Sequence, residues 1–494
     1  MLEEFFDLDE QSSIRNDCMS LVKNLDNEEA EQLSVAGDIE SVITTLSKSL
    51  DVAYSSDSGW IEVIETLMNL KMRKEETYAC LEVIVKKYIP RETSEDQAYH
   101  LLRLLILYHD PELCSFLDSK KVHPDQYTST WFRSLFASEC NYEVTQAIWD
   151  TYFVIGDPFH VFFLALVILI NSRDQILEMS ACERDVIVST IASIPKALQL
   201  EDVGDLFTLV ETHYRSHTPN ISVSLTHPAS LCVLTLLSAQ YLHHLIFQAV
   251  ERDSYDTDLA HALCLPVQAK DLLQDKSVKY FVIDCRSPEE YNTGRLHTAF
   301  HLDCSLMLQD RSAFEIAVDA LLTVQRQAID AHSVAGGDHI CFMGSGHSDD
   351  DSYVFMVAAS FLQKNYKYVS LCTGGYQSLH DLVQRKRQEN LLVDHDPSQC
   401  RLCRSGASTS GVTNGSRGGS SVKENEGFNT SIFDKLSTAV KCKTNEVKGK
   451  LVELVTANPG SKDRFKGLSG LFGEDNGKDV PLLLCHTSRV ILSY

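Results

Sequence analysis

A cysteine beside a glycine loop is the residue of this chain best suited to nucleophilic chemistry. Cys341 lies in the apolar run His339–Phe342, which predicts a buried strand, and the tight loop Gly344-Ser345-Gly346 follows it. A thiolate in such a place could serve a sulfurtransferase or a phosphatase. Because Cys341 stands inside the strand and not in the loop, we favour its interpretation as a small buried apolar residue.

A second group of residues has the composition of a metal site. Cys400 and Cys403 form a Cys-x2-Cys pair with His395 upstream, which is half of a zinc site. No second pair of suitable spacing follows, so the sequence favours a flexible linker here and predicts no metal and no other cofactor. His109 could be read as a ligand or base, but beside Asp110-Pro111 a capping or packing role is favoured.

The elements that would position Cys341 have the order of an α/β domain. Residues 281–302 predict a buried strand that ends on Asp284, a polar turn and a helical start. A helix, a further strand and a glycine pair follow the glycine loop, at Tyr353–Leu362, Tyr368–Leu371 and Gly374-Gly375. This order closely resembles the rhodanese-like domains, and the resemblance covers about residues 258–395.

The rhodanese resemblance implies a loop that begins with a catalytic cysteine, whose thiolate is stabilised by backbone N–H groups. Met343 stands at that position, and a thioether has no proton to lose and cannot form a persulfide. The acidic segment 347–351 would repel thiosulfate or phosphate. Asp284 and Arg286 remain from the active pattern, and we expect them to form a buried salt link at the strand end.

The N-terminal half predicts an all-helical domain. Segments of helical periodicity within residues 101–177 are separated by proline, glycine or polar turns, and the last is an apolar helix, Phe159–Leu177. The series resembles the TBC domain, the helical fold of GTPase-activating proteins for Rab GTPases. Its most specific marks here are the runs 109–113 and Trp149-Asp150.

The TBC resemblance implies two catalytic side chains, an arginine finger and a glutamine that positions water. The arginine would follow Ile14 and Asp17 at a spacing of three residues, where this chain has Ser20. The glutamine would follow Tyr54 by two places, where the chain has Ser56. Arg15 is no substitute, because five residues along a helix rotate a side chain by about 140°. We therefore predict that the chain is not an enzyme.

The pairing resembles proteins that join a TBC domain to a rhodanese-like domain. The resemblance implies a non-catalytic adaptor in endosome-to-Golgi retrograde transport, peripheral at the trans-Golgi network. Golgin coiled coils are the expected partners of the TBC-like region, and the WASH complex on endosome-derived vesicles is the expected partner of a C-terminal domain. Two alternatives stay open: a Rab GTPase activator with an unorthodox mechanism, and a sulfurtransferase or phosphatase that uses Cys341.

Compared with that pattern, the chain is expected to lack the first TBC helices and the final PH-like domain, since residues 474–494 are too short to form one. Because that domain recruits the WASH complex in the family, the resemblance implies this partner for the family, and we do not assign it to this chain.

Composition agrees with a multidomain cytoplasmic protein. The chain has 494 residues, of which 44% are hydrophobic and 23% charged, so it can bury two substantial cores. Its net charge of -25 argues against nucleic acid as a partner. The fifteen cysteines are scattered in apolar runs, as reduced thiols are. No signal peptide or membrane-spanning segment is predicted.

The predicted organisation extends to the C terminus. We expect a TBC-like domain at 1–215, a helical connector at 216–257, the rhodanese-like domain at 258–395, a disordered linker at 396–428 and a disordered tail at 457–494. Apolar and basic residues alternate at helical spacing in 429–456, which predicts an amphipathic helix that contacts a membrane or partner, or packs on the chain itself. Its candidate contact residues are Lys435, Leu436, Val440, Lys441, Lys448 and Leu451.

Overall fold

A computed structural model describes residues 6–23, 29–90, 97–219, 262–273, 278–347 and 350–407. A helical domain comes first and an α/β domain second, and both belong to one compact unit, Met1–Gly427. Both predicted fold types are confirmed. The predicted amphipathic helix at 429–456 and its six candidate residues lie outside the described residues, as does most of the predicted connector.

The helical domain is formed by short helices joined by tight turns. They are α1 Gln11–Lys23, α2 Glu29–Leu50, α3 Trp60–Met68, α4 Lys74–Val83, α5 Gln97–His109, α6 Pro111–Ser119, α7 Pro124–Arg133, α8 Tyr142–Ile155, α9 His160–Asn171, α10 Arg173–Glu178, α11 Arg184–Ala192 and α12 Leu200–Leu209. Helices α4 and α12 each continue into a π-helical turn, at Ile84–Tyr88 and Val210–Arg215.

The core of the helical domain is built around α9, which is buried from His160 to Leu169. One continuous helix from Phe159 to Leu177 was predicted, and this prediction is wrong. The chain bends by 60° between α9 and α10, and Arg173 at the start of α10 is bound to Asp110. No single helix among the described residues has the length and apolarity to cross a membrane; only the bent pair meets that test, by length and composition.

The α/β domain follows at residue 265. Its strands are β1 Leu265–Val267, β2 Tyr280–Asp284, β3 Arg295–Leu296, β4 Phe300–His301, β5 His339–Met343, β6 Val369–Cys372 and β7 Leu392–Val393. Its helices are α13 Ala269–Leu272, α14 Pro288–Asn292, α15 Leu306–Gln309, α16 Arg311–Asp330, α17 Ser352–Gln363, α18 Gly375–Lys386 and α19 Arg401–Ala407.

Five strands form a parallel sheet in the order β1-β6-β5-β2-β4, and β3 pairs with β7 in an antiparallel ribbon. In the register of β2 and β5, Asp284 lies beside Met343. The carboxyl ends of the two strands therefore meet at one edge, where parallel sheets place their ligands. The acidic residue and the degenerate loop predicted from sequence are thus brought together.

The two domains meet through buried aromatic and histidine side chains at the end of α5. The Tyr108 hydroxyl lies 2.6 Å from Nδ1 of His339, at the start of β5. The backbone N–H of Tyr368 donates to the carbonyl of Tyr108 at 2.8 Å. The His109 ring packs edge-on against Tyr214 and Tyr368. These contacts join the helical domain to the sheet without passing through either candidate catalytic site.

Candidate functional sites

The structure brings Asp17 into contact with Tyr54 and Ser56, and we call these three residues together with the replaced position Ser20 the TBC site. The Asp17 carboxylate accepts hydrogen bonds from the Tyr54 hydroxyl at 2.9 Å and from the Ser56 hydroxyl at 2.6 Å. Ser20 lies on the same α1 face as Asp17, because residues three apart on a helix are neighbours. Ser20 and Ser56 are both exposed. The TBC site is therefore an open polar surface.

A close backbone approach holds the loop of Tyr54 and Ser56 in place. Gly59 has φ +76° and precedes α3, and a Cβ there would lie 2.5 Å from backbone atoms of Arg133. Only glycine fits this position without displacing the end of α7. The Tyr54 ring is buried beside Trp60, with ring centroids 6.0 Å apart. Burial, with the Asp17 carboxylate, raises the pKa of Tyr54.

The nearest arginine in sequence is directed elsewhere. Arg15 donates to Glu40 of α2, with its Nη2 2.9 Å from Oε1. Glu40 also accepts from Gln11, so this carboxylate joins α1 to α2. The prediction that Arg15 points away from Ser20 agrees with this pairing.

Asp284 and Arg286 form the predicted buried salt link. Arg286 donates from Nε at 2.9 Å and from Nη2 at 2.6 Å to the two Asp284 oxygens, and both side chains are buried. The guanidinium also lies 3.5 Å from the centre of the Tyr376 ring and donates to the Gly294 carbonyl. These partners all belong to the domain's own fold, which confirms the predicted buried salt link at the strand end. We call the Asp284–Arg286 pair the clamp.

The position that the rhodanese resemblance assigns to the catalytic cysteine is part of the buried core. Met343 is fully buried and packs in the core with Cys341, Cys372 and Leu379. Burial raises the pKa of Cys341 well above its usual range and that of Cys372 to about 12. Such thiols stay protonated near neutral pH and are poor nucleophiles. The structural interpretation of Cys341 is confirmed.

The loop after Met343 binds its own carboxylate. We call residues 344–351 the rhodanese loop; residues 348 and 349 lie outside the described part. Asp351 accepts from the N–H of Ser345 at 2.7 Å, from the Ser345 hydroxyl at 3.0 Å and from the N–H of Gly346 at 2.9 Å. The sequence predicted that acidic residues would repel an anion here. The structure adds that one of them occupies the N–H groups.

Glycine also shapes this loop. Gly346 has φ +99°, and a Cβ there would lie 2.3 Å from the carbonyl oxygen of Gly374. The N–H of Tyr376 donates to the Gly344 carbonyl at 2.8 Å. The loop therefore packs backbone to backbone against the start of α18, in the position where it receives Asp351.

His109 has the predicted packing role. It is buried, its Nε2 lies 2.8 Å from the Thr218 hydroxyl, and burial lowers its pKa to about 3. The helix cap is made by its neighbour Asp110, whose carboxylate accepts from the N–H of Leu113 at 3.0 Å.

The segment predicted to start a disordered linker at 396 instead forms a helix at Arg401–Ala407, within the residues that the structure describes. Cys400 is buried and Leu402 packs against the core of the α/β domain. Helix α19 begins directly after Cys400, and its Cys403 lies close to His380 and His395. Sequence reasoning missed His380 because it searched for a second ligand pair after the cysteines, whereas the histidine precedes them by twenty residues on α18.

Comparison with known protein families agrees with the folds of the two domains. The model of the Rab-GTPase-TBC domain matches residues 4–177, and the model of the rhodanese-like domain matches residues 265–382. The chain therefore carries a TBC domain followed by a rhodanese-like domain, and its relatives point to proteins related to Rab GTPase activators.

Among individual relatives, the chain is 21% identical over 329 residues to the TBC domain-containing protein kinase-like protein of Gallus gallus, covering 61% of this chain and 35% of that protein. It is 27% identical over 135 residues to the Rab GTPase-activating protein eat-17 of Caenorhabditis elegans, covering 26% of this chain and 15% of that protein. The chain thus spans about a third or less of these relatives.

Among solved structures, the crystal structure of the Chlamydomonas flagellar RabGAP TBC domain matches with 15% identity and a TM-score of 0.35. The match covers 43% of this chain and 70% of that one.

Proposed function

We propose that this chain is a non-catalytic adaptor, a counterpart of TBC domain family member 23. It would link endosome-derived vesicles to golgins at the trans-Golgi network during endosome-to-Golgi retrograde transport. The observation that supports this most is the state of the rhodanese loop, where Asp351 fills the N–H groups of an anion site beside a buried Met343. In this proposal the rhodanese-like domain contributes a folded surface and no catalysis, because Asp351 already occupies the N–H groups that would bind an anion.

The TBC site supports the same proposal by its charge. Acceleration of GTP hydrolysis needs a cation at the transferred phosphoryl group, and an arginine finger supplies roughly 10³–10⁵ in rate. Ser20 and Ser56 carry no charge, so neither of the two replaced positions supplies this cation. Asp17 belongs to the active pattern as well, and here it accepts hydrogen bonds from Tyr54 and Ser56.

In this proposal the TBC domain binds golgin coiled coils, and the chain is peripheral on trans-Golgi and vesicle membranes. The basic segment 429–456 would contribute membrane or partner contact. The WASH complex stays an expectation of the family resemblance.

Capture of golgin N-terminal peptides by the purified full chain tests the adaptor proposal. Immobilised peptides should retain the chain, while scrambled peptides of the same composition should not. Because the proposed partner surface lies on the TBC domain, retention should be unchanged in Asp351→Ala, which alters only the rhodanese loop. Failure of the folded chain to bind any golgin peptide would contradict the proposal.

One observation favours a second candidate, a Rab GTPase activator with an unorthodox mechanism. Ser20 and Ser56 are exposed and the loop of Ser56 is bound to Asp17 of α1, so a Rab could still approach this surface. Stimulated hydrolysis of GTP on any member of a Rab panel would support it, and the loss of that stimulation in Asp17→Ala would place it at this site.

A further inference from the structure

Four metal-ligating side chains converge at the end of the α/β domain, and we call them the His–Cys cluster. His380 comes from the middle of α18, His395 from the turn after β7, and Cys400 and Cys403 from the start of α19. Each offers one ligand atom, and the four atoms all lie within 4.8 Å of one another. Three separate elements thus present their nitrogen and sulfur atoms to one point.

The distances in the cluster match those of a tetrahedral metal site. Sγ of Cys403 lies 3.3 Å from Nε2 of His380 and 3.6 Å from Nε2 of His395, and Sγ of Cys400 lies 3.9 Å from Nε2 of His380. With zinc–sulfur and zinc–nitrogen bonds of about 2.3 and 2.0 Å, the ligand atoms of a tetrahedron are about 3.4–3.8 Å apart. Small side-chain adjustments would therefore bring all four atoms to bonding distance.

The surroundings of the cluster suit neutral imidazole and thiolate ligands. His380 and Cys400 are buried, while His395 and Cys403 are partly buried. Neutral imidazole and thiolate are the forms in which histidine and cysteine bind a metal, so metal binding at this cluster would release protons. The other ring nitrogen of His380 lies 3.8 Å from Asp381, a carboxylate in the place where zinc-bound histidines often find a second partner.

Hydrogen bonds among the four groups explain the convergence less well than a metal does. Thiols are weak donors, and imidazole nitrogens usually pair with oxygen when buried. Here the Nε2 atoms of both histidines face sulfur. The two cysteines have two residues between them and flank the start of a helix, and this spacing is that of structural zinc ligands.

We propose that His380, His395, Cys400 and Cys403 form a structural zinc site that fastens α19 to α18. Two cysteines and two histidines complete a tetrahedral shell, so no position is left for a substrate or a catalytic water. The role is therefore to hold the chain that follows β7 on the body of the domain.

The site has a consequence for the rhodanese loop. Arg401 stands between the two cysteines, and its Nη1 lies 2.8 Å from Asp350 and 3.4 Å from Glu290. Fixing α19 thus fixes a cation across the mouth of the loop in which Asp351 is bound. The metal would keep the degenerate loop covered.

The test is metal analysis of the full chain, purified without added metal and without chelator. We expect one zinc per chain, and X-ray absorption should show a shell of two sulfur and two nitrogen atoms. Replacement by cobalt alone should give the thiolate-to-cobalt absorption and the visible bands of a tetrahedral site. A wild-type chain that holds no zinc and gives no such cobalt spectrum, or whose cysteines form a disulfide as purified, would overturn the proposal.

Variants separate ligation from folding. Cys403→Ser and His380→Gln should lower the zinc content at least tenfold, whereas Cys182→Ser and His297→Gln, which replace a cysteine and a histidine outside the cluster, should keep it. His395→Cys should retain the metal and increase the thiolate-to-cobalt absorption, because it replaces a nitrogen ligand by sulfur. Equal zinc content in Cys403→Ser and Cys182→Ser would also overturn the proposal.

Discussion

The two degenerate sites of this protein differ in what stands where the chemistry would be. In the TBC site the backbone framework and the Asp17 hydrogen bonds are present, and the two replaced positions, Ser20 and Ser56, are exposed. At the rhodanese loop, the replaced position Met343 at the end of β5 is buried, and Asp351 accepts from the N–H groups of the loop. The TBC site is exposed to solvent, and we call it the open site. The rhodanese loop with Met343 is filled by the protein's own side chains, and we call it the closed site.

In the adaptor proposal, the two sites have lost their chemistry in two different physical ways. Replacing an exposed side chain costs little stability and leaves a surface that a partner can still contact. Filling a site with a methionine and a carboxylate converts it into part of the folded core. We therefore expect substitutions in the closed site to change stability and substitutions in the open site to change binding.

The largest effect on stability is expected at Asp284, which lies beside Met343 in the sheet, and the comparison is with Asp17 of the TBC site. Asp284→Ala leaves Arg286 buried and without its carboxylate, which should lower the free energy of unfolding by about 3–5 kcal/mol. Asp17→Ala removes hydrogen bonds in a half-exposed place and should cost about 1 kcal/mol. Urea denaturation measures both.

Glu315→Ala is the matched control, because Glu315 pairs with Arg311 on α16 and both side chains are exposed; a loss below about 1 kcal/mol is expected. An equal loss in Asp284→Ala and Glu315→Ala would show that burial of the clamp does not matter.

Lowering the pH should weaken the contact between the two domains, at His109 and His339, before it changes the open or the closed site. Burial lowers the pKa of His109 to about 3 and that of His339 to about 4, from an ordinary 6.5. The folded state therefore binds fewer protons than the unfolded state below pH 6.5. The contribution of these two histidines to the free energy of unfolding is complete above that pH and is lost as the pH falls toward 4. Each histidine contributes up to roughly 1.4 kcal/mol per pH unit.

Besides burial, four neighbouring cationic or titratable groups lower the pKa of His109: His339, His213, His217 and Lys367. His109→Gln should flatten the dependence of unfolding free energy on pH between 6.5 and 4.5. An unchanged slope in that variant would refute the assignment to the junction.

Opening the closed site should have a smaller effect. Asp351→Ala leaves the N–H groups of Ser345 and Gly346 without their carboxylate, which should cost about 1–3 kcal/mol. It should also let sulfate or thiosulfate bind, as detected by calorimetry. Asp350→Ala, whose carboxylate is exposed and bound to Arg401, should change stability by less than about 1 kcal/mol and gain no anion binding.

The smallest effect on stability is expected at the open site. Ser20→Arg places a cation on an exposed position and should change the free energy of unfolding by less than about 0.5 kcal/mol. Met343→Cys shrinks a buried side chain and should cost about 1–3 kcal/mol. Similar losses in the two variants would remove the distinction between open and closed sites.

Much of this organisation follows from sequence, because motifs with fixed spacing report local structure. The strands, the glycine loop, the Asp284–Arg286 clamp and the displacement of Arg15 from Ser20 all depend on residues near one another along the chain. The bend before Arg173 and the approach of His380 to Cys403 depend on contacts between elements. The bonds of Asp351 lie within one loop, but they require the backbone conformation that this loop takes against the start of α18. The linker prediction failed at Cys400 for the same reason, since polar composition does not reveal a segment held by distant side chains.

The most direct test of a protein that binds without catalysis is single-turnover GTP hydrolysis across a Rab panel, on preparations of the full chain that capture golgin peptides. We predict that the chain leaves every intrinsic hydrolysis rate unchanged while it retains the peptides. The double variant Ser20→Arg, Ser56→Gln is the control for the open site, since it restores both missing groups. Acceleration by the unmodified chain approaching the roughly 10³-fold of an arginine finger would contradict the adaptor proposal.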